Sequence, residues 1–182
     1  MRKKVLWITQ TAAMLAMLVA IQWVTRPLGQ LFTGSCVNTV LAVSGLLCGL
    51  WSGVTVSLVS AVMAFLLNIA PQAVTVPAIM AGNLVFVLLL YGICGRENAS
   101  IARRIAAWLI AAAGKFAVLY VLVNWLICGV ASEKLLTRGI LAAPMLKKLP
   151  GMFSWPQLIT ALVGGGIAIS LVPLLRKALR RI

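Results

Sequence analysis

Six long apolar stretches are the feature of this sequence that most restricts its fold. An α-helix rises about 1.5 Å per residue and the hydrocarbon core of a bilayer is about 30 Å thick, so about 20 apolar residues cross it. The stretches cover residues 5–25, 35–50, 53–69, 76–94, 101–128 and 155–175. Because 63% of the residues are hydrophobic and only 10% are charged, a soluble domain is excluded. The sequence predicts an all-α polytopic membrane protein with six transmembrane helices, folded as a single domain over residues 1–182.

Two boundaries of these stretches need a separate argument. The basic residues at the start, followed by an apolar run, are similar to a signal peptide. The run continues to Val24 and is long enough to span a bilayer, so we expect it to be retained as the first helix. The second stretch is short, and Leu50-Trp51-Ser52-Gly53 is expected to be a tight turn into the third, so that these two helices form a hairpin.

The distribution of basic residues predicts the orientation of the helices. Six spans place both termini on one side of the membrane, and ten basic residues fall on that side: Arg2, Lys3, Lys4, Arg96, Arg103, Arg104, Arg176, Lys177, Arg180 and Arg181. Five fall on the other side: Arg26, Lys134, Arg138, Lys147 and Lys148. The positive-inside rule therefore places both termini in the cytoplasm. Since the basic residues lie at the edges of apolar runs, the net charge of +14 indicates contact with lipid headgroups and not with nucleic acid.

The connection over residues 129–153 is the one segment of mixed character. It alternates apolar residues with four basic ones, Lys134, Arg138, Lys147 and Lys148. This pattern fits a short amphipathic helix that lies along the outer interface, and it also fits a solvated outer loop that carries some apolar residues. The sequence leaves both alternatives open.

Polar side chains are concentrated in the half of the bundle that this orientation places outside. The outer set is Gln22, Gln30, Thr33, Ser35, Asn38, Asn68, Gln72, Asn83, Asn124, Gln157 and Thr160. An unpaired amide is costly in hydrocarbon, so intramembrane Asn and Gln face the bundle interior or a wet cavity. The set predicts a pocket open to the outside. The alternative is that the amides only hold helices together, but this use does not explain why the inner half has so few of them.

Lys115 lies near the middle of the fifth stretch, and no membrane stretch contains an acid to pair with it. A charge that faces lipid at the midplane costs about 3 kcal/mol or more, so the side chain is expected to point into the protein. It either extends along the helix and bonds carbonyl groups, or it forms the floor of the pocket and receives an anionic or carbonyl group of a ligand. Asn124 is nine positions further on, about 180° round an ideal helix, so the two share a pocket only if the helix bends or the cavity wraps round it.

The residue types disfavour several classes of function. The chain has no His and no Asp, so general acid–base catalysis lacks its usual groups, and we expect no enzyme, no metal site and no cofactor. Gly114 and Lys115 do not form a Walker A motif for ATP, because Leu109 and Phe116 stand where Gly and Ser or Thr are required. An ion-driven symporter is also disfavoured because it needs an ionisable relay within the membrane. If a solute moves through this chain, a partner must supply the energy.

The four cysteines show no metal-ligand spacing and are expected to pack against lipid or core side chains: Cys36, Cys48, Cys94 and Cys128. A disulfide between the first and the last of these is left open, since both are placed near the outer face.

Small residues recur every four positions in two of the stretches. In the first they are Ala12, Ala16 and Ala20 of TAAMLAMLVA, and in the sixth they are Thr160, Gly164 and Ala168. Such a stripe lets another helix approach closely. From the spacing alone, packing against a neighbouring span of the same chain is favoured for both.

The chain resembles the S component of an energy-coupling factor (ECF) transporter, which is its substrate-binding membrane subunit. The resemblance is carried by the length, the six spans with both ends inside, the AxxxA spacing of the first helix and the polar outer half. The segment Thr33–Asn83, with TGSCVNTVL, GLWSG and MAGNLV, is similar to one branch of that family.

The resemblance implies a subunit of the bacterial plasma membrane that captures a vitamin or another small micronutrient from outside. It implies partners as well, a transmembrane coupling (T) subunit with two cytoplasmic ATPases, and toppling in the bilayer to release the solute. Ala12, Ala16 and Ala20 would then face the coupling subunit, and a loop from Pro27 to Ser35 would gate the pocket. Family pockets draw on this loop and on the outer parts of spans four to six, which here correspond to Gln30, Thr33, Asn83, Lys115, Asn124, Trp155 and Gln157. Asn38, in the second span, is added from its depth and polarity.

The residue types of the pocket half also restrict the class of solute and the alternative functions. With no His and no carboxylate in the pocket half except Glu133, a metal ion or cationic vitamin is disfavoured, and a neutral or anionic hydrogen-bonding solute is favoured. The alternative function is a structural or scaffolding membrane protein of the rod-shape-determining type, which has partners but no solute. A small pore is a further alternative, but it would need polar residues along its full depth.

Overall fold

The computed structural model describes residues 2–94 and 99–179. Three basic residues used to predict the orientation, Arg96, Arg180 and Arg181, lie outside the described residues, and so do the side chains of Arg2 and Lys3. The described residues form helices and no strands, so the predicted all-α class is confirmed.

Eight α-helices make up the described chain. They are α1 (Arg2–Thr25), α2 (Gln30–Val43), α3 (Leu50–Leu66), α4 (Val76–Cys94), α5 (Ile101–Leu119), α6 (Ser132–Thr137), α7 (Ala143–Met152) and α8 (Trp155–Leu179). Helix α2 continues as a π-helix over Ser44–Cys48 and α5 does so over Tyr120–Val130, while short 3-10 turns cover Arg26–Leu28 and Ala73–Thr75. In the bundle, α2 packs mainly on α8, and α4 packs on α5 and α3.

Five of these helical segments are long and apolar enough to cross a bilayer. They are Lys4–Leu28, Gln30–Cys48, Ala73–Cys94, Ile101–Val130 and Trp155–Leu179. The third predicted span is an apolar helix of 17 residues, Leu50–Leu66, which is shorter than the others. The count of six spans and the cytoplasmic position of both termini therefore stay predictions.

The hairpin between α2 and α3 turns at Gly49, and not at Leu50–Gly53 as expected. Gly49 has a φ of 102°, a conformation that side chains with a Cβ rarely adopt, and α3 begins at the next residue. Gly53 faces the π-helix of the first arm, where an added Cβ would lie 2.7 Å from the Cα of Gly45. Glycines on both arms thus allow the backbones to touch, and a single residue is enough to reverse the chain.

The expected gate loop from Pro27 to Ser35 is mostly helical. Gly29, with a φ of 88°, ends the 3-10 turn, and α2 starts at Gln30, with the Thr33 amide donating to the Gly29 carbonyl at 3.1 Å. The prediction of a loop over this range was wrong, because a positive-φ glycine lets one helix follow another without a longer connection.

The small face of α8 packs inside the bundle, as its spacing predicts. Thr160, Gly164 and Ala168 are all buried. A Cβ on Gly164 would lie 2.6 Å from the Cβ of Asn38, and one on Gly34 would lie 2.8 Å from the Thr160 side chain. This close approach of α8 holds the cavity-facing side of α2 in place.

Residues 129–153 form the two short helices α6 and α7 and are packed against the bundle. Leu141, Leu149 and Phe153 are buried and belong to one apolar cluster with Leu119 and Val123 of the α5 segment. The described structure of this segment is therefore helical, and its position relative to a lipid interface stays a prediction.

Candidate functional site

A cavity of about 100 Å³ lies among α1, α2, α3, α4 and α5 and is bordered by the end of α7 and the start of α8. Its walls are apolar, with Val37, Ala64, Ile79 and Phe153 among them. Half-buried residues at the helix ends and connections that meet there, such as Pro71 and Met152, form its border. These are the ends that the predicted orientation places outside.

Lys115 lies at the base of the cavity and is only 4% exposed. Its Nζ atom donates to the Oδ1 atom of Asn38 at 2.6 Å and to the Oδ1 atom of Asn83 at 2.7 Å. The ring centre of Phe86 lies 5.6 Å from the same atom, within the range of a cation–π contact. The expected inward orientation is confirmed, and the residue both bonds carbonyl oxygens and lines the cavity.

The hydrogen bonds continue from Lys115 into α3. The Nδ2 atom of Asn83 donates to Ser60 Oγ at 2.8 Å, and the Ser60 hydroxyl donates to the Ser57 carbonyl at 2.8 Å. The side chains of α2, α3, α4 and α5 are thereby linked in one buried network. Such a network fixes the direction of each dipole around the ammonium.

Gln22 of α1 is a cavity residue that the predicted site residues did not include. It is 1% exposed and lines the cavity, and its Nε2 atom donates to the Ser60 carbonyl at 3.0 Å. Its Oε1 atom is buried and has no hydrogen-bond partner among the described residues. Its inward position agrees with the exposure of the alanine stripe, because Gln22 follows Ala20 by two positions, about 200° round the helix, and so faces away from that stripe.

Two glutamines meet at the end of α7, on the border of the cavity. Gln30 of α2 and Gln157 of α8 both donate to the Met152 carbonyl, at 2.7 Å and 3.3 Å. Beside them, the Thr33 hydroxyl donates to the Thr25 carbonyl at 2.7 Å and joins the start of α2 to the end of α1. These bonds hold together the helix ends that border the cavity: the start of α2, the end of α7 and the start of α8.

The structure brings together six of the eight predicted site residues in the cavity lining: Gln30, Thr33, Asn38, Asn83, Lys115 and Gln157. Asn124 and Trp155 are not part of this lining. Asn124 lies in the π-helix and donates to Ser154 Oγ at 3.1 Å, and Trp155 is 68% exposed and stacked on Phe116 with ring centres 5.9 Å apart. The cavity does not extend round the α5 segment to Asn124, so a role for these two residues in binding stays a prediction.

The chemistry of the lining is that of amides, hydroxyls and one ammonium. The described residues bring together no group of three or more His, Cys, Asp or Glu side chains that could hold a metal ion. The four cysteines are unpaired in the described structure, including Cys36 and Cys128. The arrangement suits an organic molecule that is held by hydrogen bonds at one end and by apolar contact along its body.

The alanine stripe of α1 lies on the outside of the bundle. Ala12, Ala16 and Ala20 are all exposed, and the last two line a shallow apolar depression together with Val19 and Trp23. The expectation from spacing alone, that the stripe packs within the chain, is wrong for α1.

Residues 10–176 match a family model described as "ECF transporter, substrate-specific component". Neither the curated proteins nor the solved structures include a significant match to this chain.

Proposed function

We propose that this chain, which belongs to the family of ECF transporter substrate-specific components, binds a small solute above Lys115 and delivers it to an ATP-driven importer. The family and the apolar helices make the chain a multi-pass membrane protein and a substrate-binding component of such a transporter. We further propose where the solute binds and which class of solute it is. We also propose that the protein lies in the bacterial plasma membrane with both termini in the cytoplasm.

The observation that carries the proposal is the buried ammonium at the base of an apolar cavity. A lysine ammonium has three N–H donors, and amide oxygens of Asn38 and Asn83 take two of them. Among the residues that the structure describes, the one acid is Glu133, which is exposed on α6. A buried donor without an acceptor is costly, so a solute that accepts the third hydrogen bond would gain affinity at this point.

The same residues support a neutral or anionic solute, and the family resemblance suggests a vitamin or another small micronutrient. A cation placed beside Lys115 would meet a like charge in a poorly solvated site. The lining holds amides and hydroxyls and has no carboxylate or imidazole that would act as a general acid or base. We therefore infer binding without a chemical reaction.

The exposed stripe of Ala12, Ala16 and Ala20 supports contact with the T subunit, which in turn works with two ATPase subunits. Small side chains let two helix backbones approach closely in a membrane, where dispersion contacts drive association. The stripe lies on an exposed face of α1, whereas Lys115 bonds to α2 and α4 and the cavity-lining Gln22 of α1 is buried. The partner surface and the solute site are thus separate in the proposed arrangement.

Native mass spectrometry of the protein purified without added ligand tests the proposal. We expect a bound small metabolite on the wild-type chain and its loss from Lys115→Met, which removes the donor and keeps a long apolar stem. Lys147→Met is the matched control, because Lys147 is exposed on α7 and lies outside the cavity lining.

A folded wild-type protein with no metabolite, or a metabolite that Lys115→Met retains in full, would overturn the proposed site. The first of these results would favour the structural or scaffolding type of membrane protein, which needs no solute.

A further inference from the structure

The direction of every hydrogen bond around Lys115 is fixed by three atoms. Lys115 Nζ only donates, and the backbone carbonyls of Ser57 and Ser60 only accept. Asn38 and Asn83 must therefore turn their Oδ1 atoms toward Nζ. The Nδ2 atom of Asn83 then donates to Ser60 Oγ, whose hydrogen goes to the Ser57 carbonyl.

The same reasoning fixes the amide of Gln22. The Ser60 carbonyl accepts from its Nε2 atom at 3.0 Å, and a flipped amide would set two carbonyl oxygens against each other. The Oε1 atom must therefore point away from Ser60. It has no partner among the described residues, although the side chain is almost completely buried and lines the cavity.

Two side chains of the cavity lining that do not bond to each other keep a donor and an acceptor without a partner among the described residues. The donor is the third N–H of Lys115 and the acceptor is Oε1 of Gln22. The walls beside them are apolar side chains such as Val37 and Ile79. A solute that pairs with both of these groups supplies an acceptor and a donor at one polar end.

We propose that this polar end is a neutral amide-type group, such as a carboxamide, a lactam or a ureide. Its carbonyl oxygen accepts from Lys115 Nζ, and its N–H donates to Gln22 Oε1. The inference rests on the proposed solute-binding function and narrows it from a neutral or anionic solute to one chemical class.

Gln22 is the residue that distinguishes an amide-type group from a carboxylate, a ketone or an ester. A carboxylate can accept from Lys115, but it has no hydrogen for the Gln22 oxygen and its negative charge repels that dipole. A ketone or an ester likewise leaves Oε1 unpaired. A site with a buried acceptor discriminates strongly against a ligand that lacks the matching donor, because the acceptor has already lost its water.

Three probes with the same pyridine ring test the inference: nicotinamide, nicotinate and 3-acetylpyridine. Their dissociation constants are measured by ligand-observed NMR titration of the full chain in lipid nanodiscs. We expect nicotinamide to bind about tenfold more tightly than either of the other two, which is the effect of one hydrogen bond in a buried site.

Variants of Gln22 assign this preference to the residue. In Gln22→Met we expect nicotinamide to lose affinity, so that nicotinamide and 3-acetylpyridine bind within about twofold of each other. Measurable binding of 3-acetylpyridine shows that the site is still formed, and Gln22→Leu serves as a second variant if Gln22→Met does not fold. Gln10→Met, on the same helix but outside the cavity lining, is expected to keep the tenfold preference.

The inference is overturned if nicotinate binds as tightly as nicotinamide, if the preference persists in both Gln22 variants, or if none of the probes binds the folded protein. A co-purified metabolite that has no amide-type group, and that Lys115→Met loses, would uphold the proposed function and overturn only this inference. Absence of any metabolite together with absence of probe binding would overturn both.

Discussion

The Nζ atom of Lys115 lies 2.6 Å from the Oδ1 atom of Asn38, a residue 77 positions earlier in the chain. Asn83 of α4 accepts from the same ammonium, so that α2, α4 and α5 meet at one buried charge. Burial of an ammonium without a carboxylate is costly unless polar groups surround it. The two amide oxygens meet part of this need, and under the proposed function a molecule in the cavity meets the rest.

Asn83→Leu is expected to destabilise the protein by about 1–3 kcal/mol. The change removes an acceptor from Lys115 and the donor that Ser60 Oγ receives, so two buried groups lose a partner. The free energy of unfolding in detergent measures the effect. Gln10→Leu, at a half-buried amide outside the network, should change it by less than about 0.5 kcal/mol. Equal effects of the two substitutions would show that the network does not stabilise the fold.

Gly164→Ala is expected to destabilise the protein by about 1–3 kcal/mol because α8 cannot then approach α2 as closely. The added Cβ would overlap the Ser35 carbonyl oxygen and would lie 2.6 Å from the Cβ of Asn38. Gly92→Ala is the control, since a Cβ at that helical position meets nothing within 4 Å. We expect the control to be neutral or slightly stabilising, by up to about 1 kcal/mol. Thermal unfolding of both variants in the same detergent compares them.

The same substitution is expected to disturb the solute site, because the added Cβ would be close to Asn38, which bonds Lys115. Gly164→Ala should weaken binding of the co-purified metabolite, whereas Gly92→Ala should not. A variant that is destabilised but binds with full affinity would separate the packing of α8 from the position of Asn38.

Ala16→Trp is expected to prevent assembly with the T subunit while solute binding is unchanged. A large side chain in the middle of the exposed stripe keeps a partner helix from close approach, and the Lys115 network does not involve α1 at this position. Co-purification with a tagged T subunit measures assembly. Ala113→Trp, at an exposed alanine of α5, is the control and should assemble normally. Normal assembly of Ala16→Trp would contradict the assignment of this face.

Gln30→Met is expected to release the solute about threefold to tenfold faster than the wild type, because one hydrogen bond at the covering chain is lost. Gln30 makes the shorter of the two bonds to the Met152 carbonyl, 2.7 Å against 3.3 Å for Gln157, so Gln157→Met should have the smaller effect. The dissociation rate of the co-purified metabolite, followed by native mass spectrometry after dilution, distinguishes the two. Equal rates in both variants and the wild type would show that these bonds do not retain the solute.

The helical class of the fold follows from the sequence because the length of an apolar stretch is a local property. The turns do not follow in the same way, since they depend on single backbone torsions. Gly29 and Gly49 each reverse or redirect the chain within one residue, and this is why a loop at Pro27–Ser35 and a turn at Leu50–Gly53 were expected where helices begin.

The candidate site was predictable to the extent that depth and polarity decide which side chains turn inward. Lys115, Asn38 and Asn83 are costly in lipid, so their inward orientation follows from desolvation alone. The position of Gln22 at the cavity follows less directly, because it depends on which face of α1 is exposed, and only the structure shows that the alanine stripe is on that face. Ser60 gives no signal in sequence, because a serine in a helix ordinarily bonds its own backbone.

The structure of the protein with its co-purified metabolite is the decisive measurement for the proposed site. We expect a polar atom of that molecule within about 3.2 Å of Lys115 Nζ, with the rest of the molecule against the apolar walls of the cavity. A molecule bound elsewhere on the chain, with no atom in contact with Lys115, would show that this cavity is not the binding site.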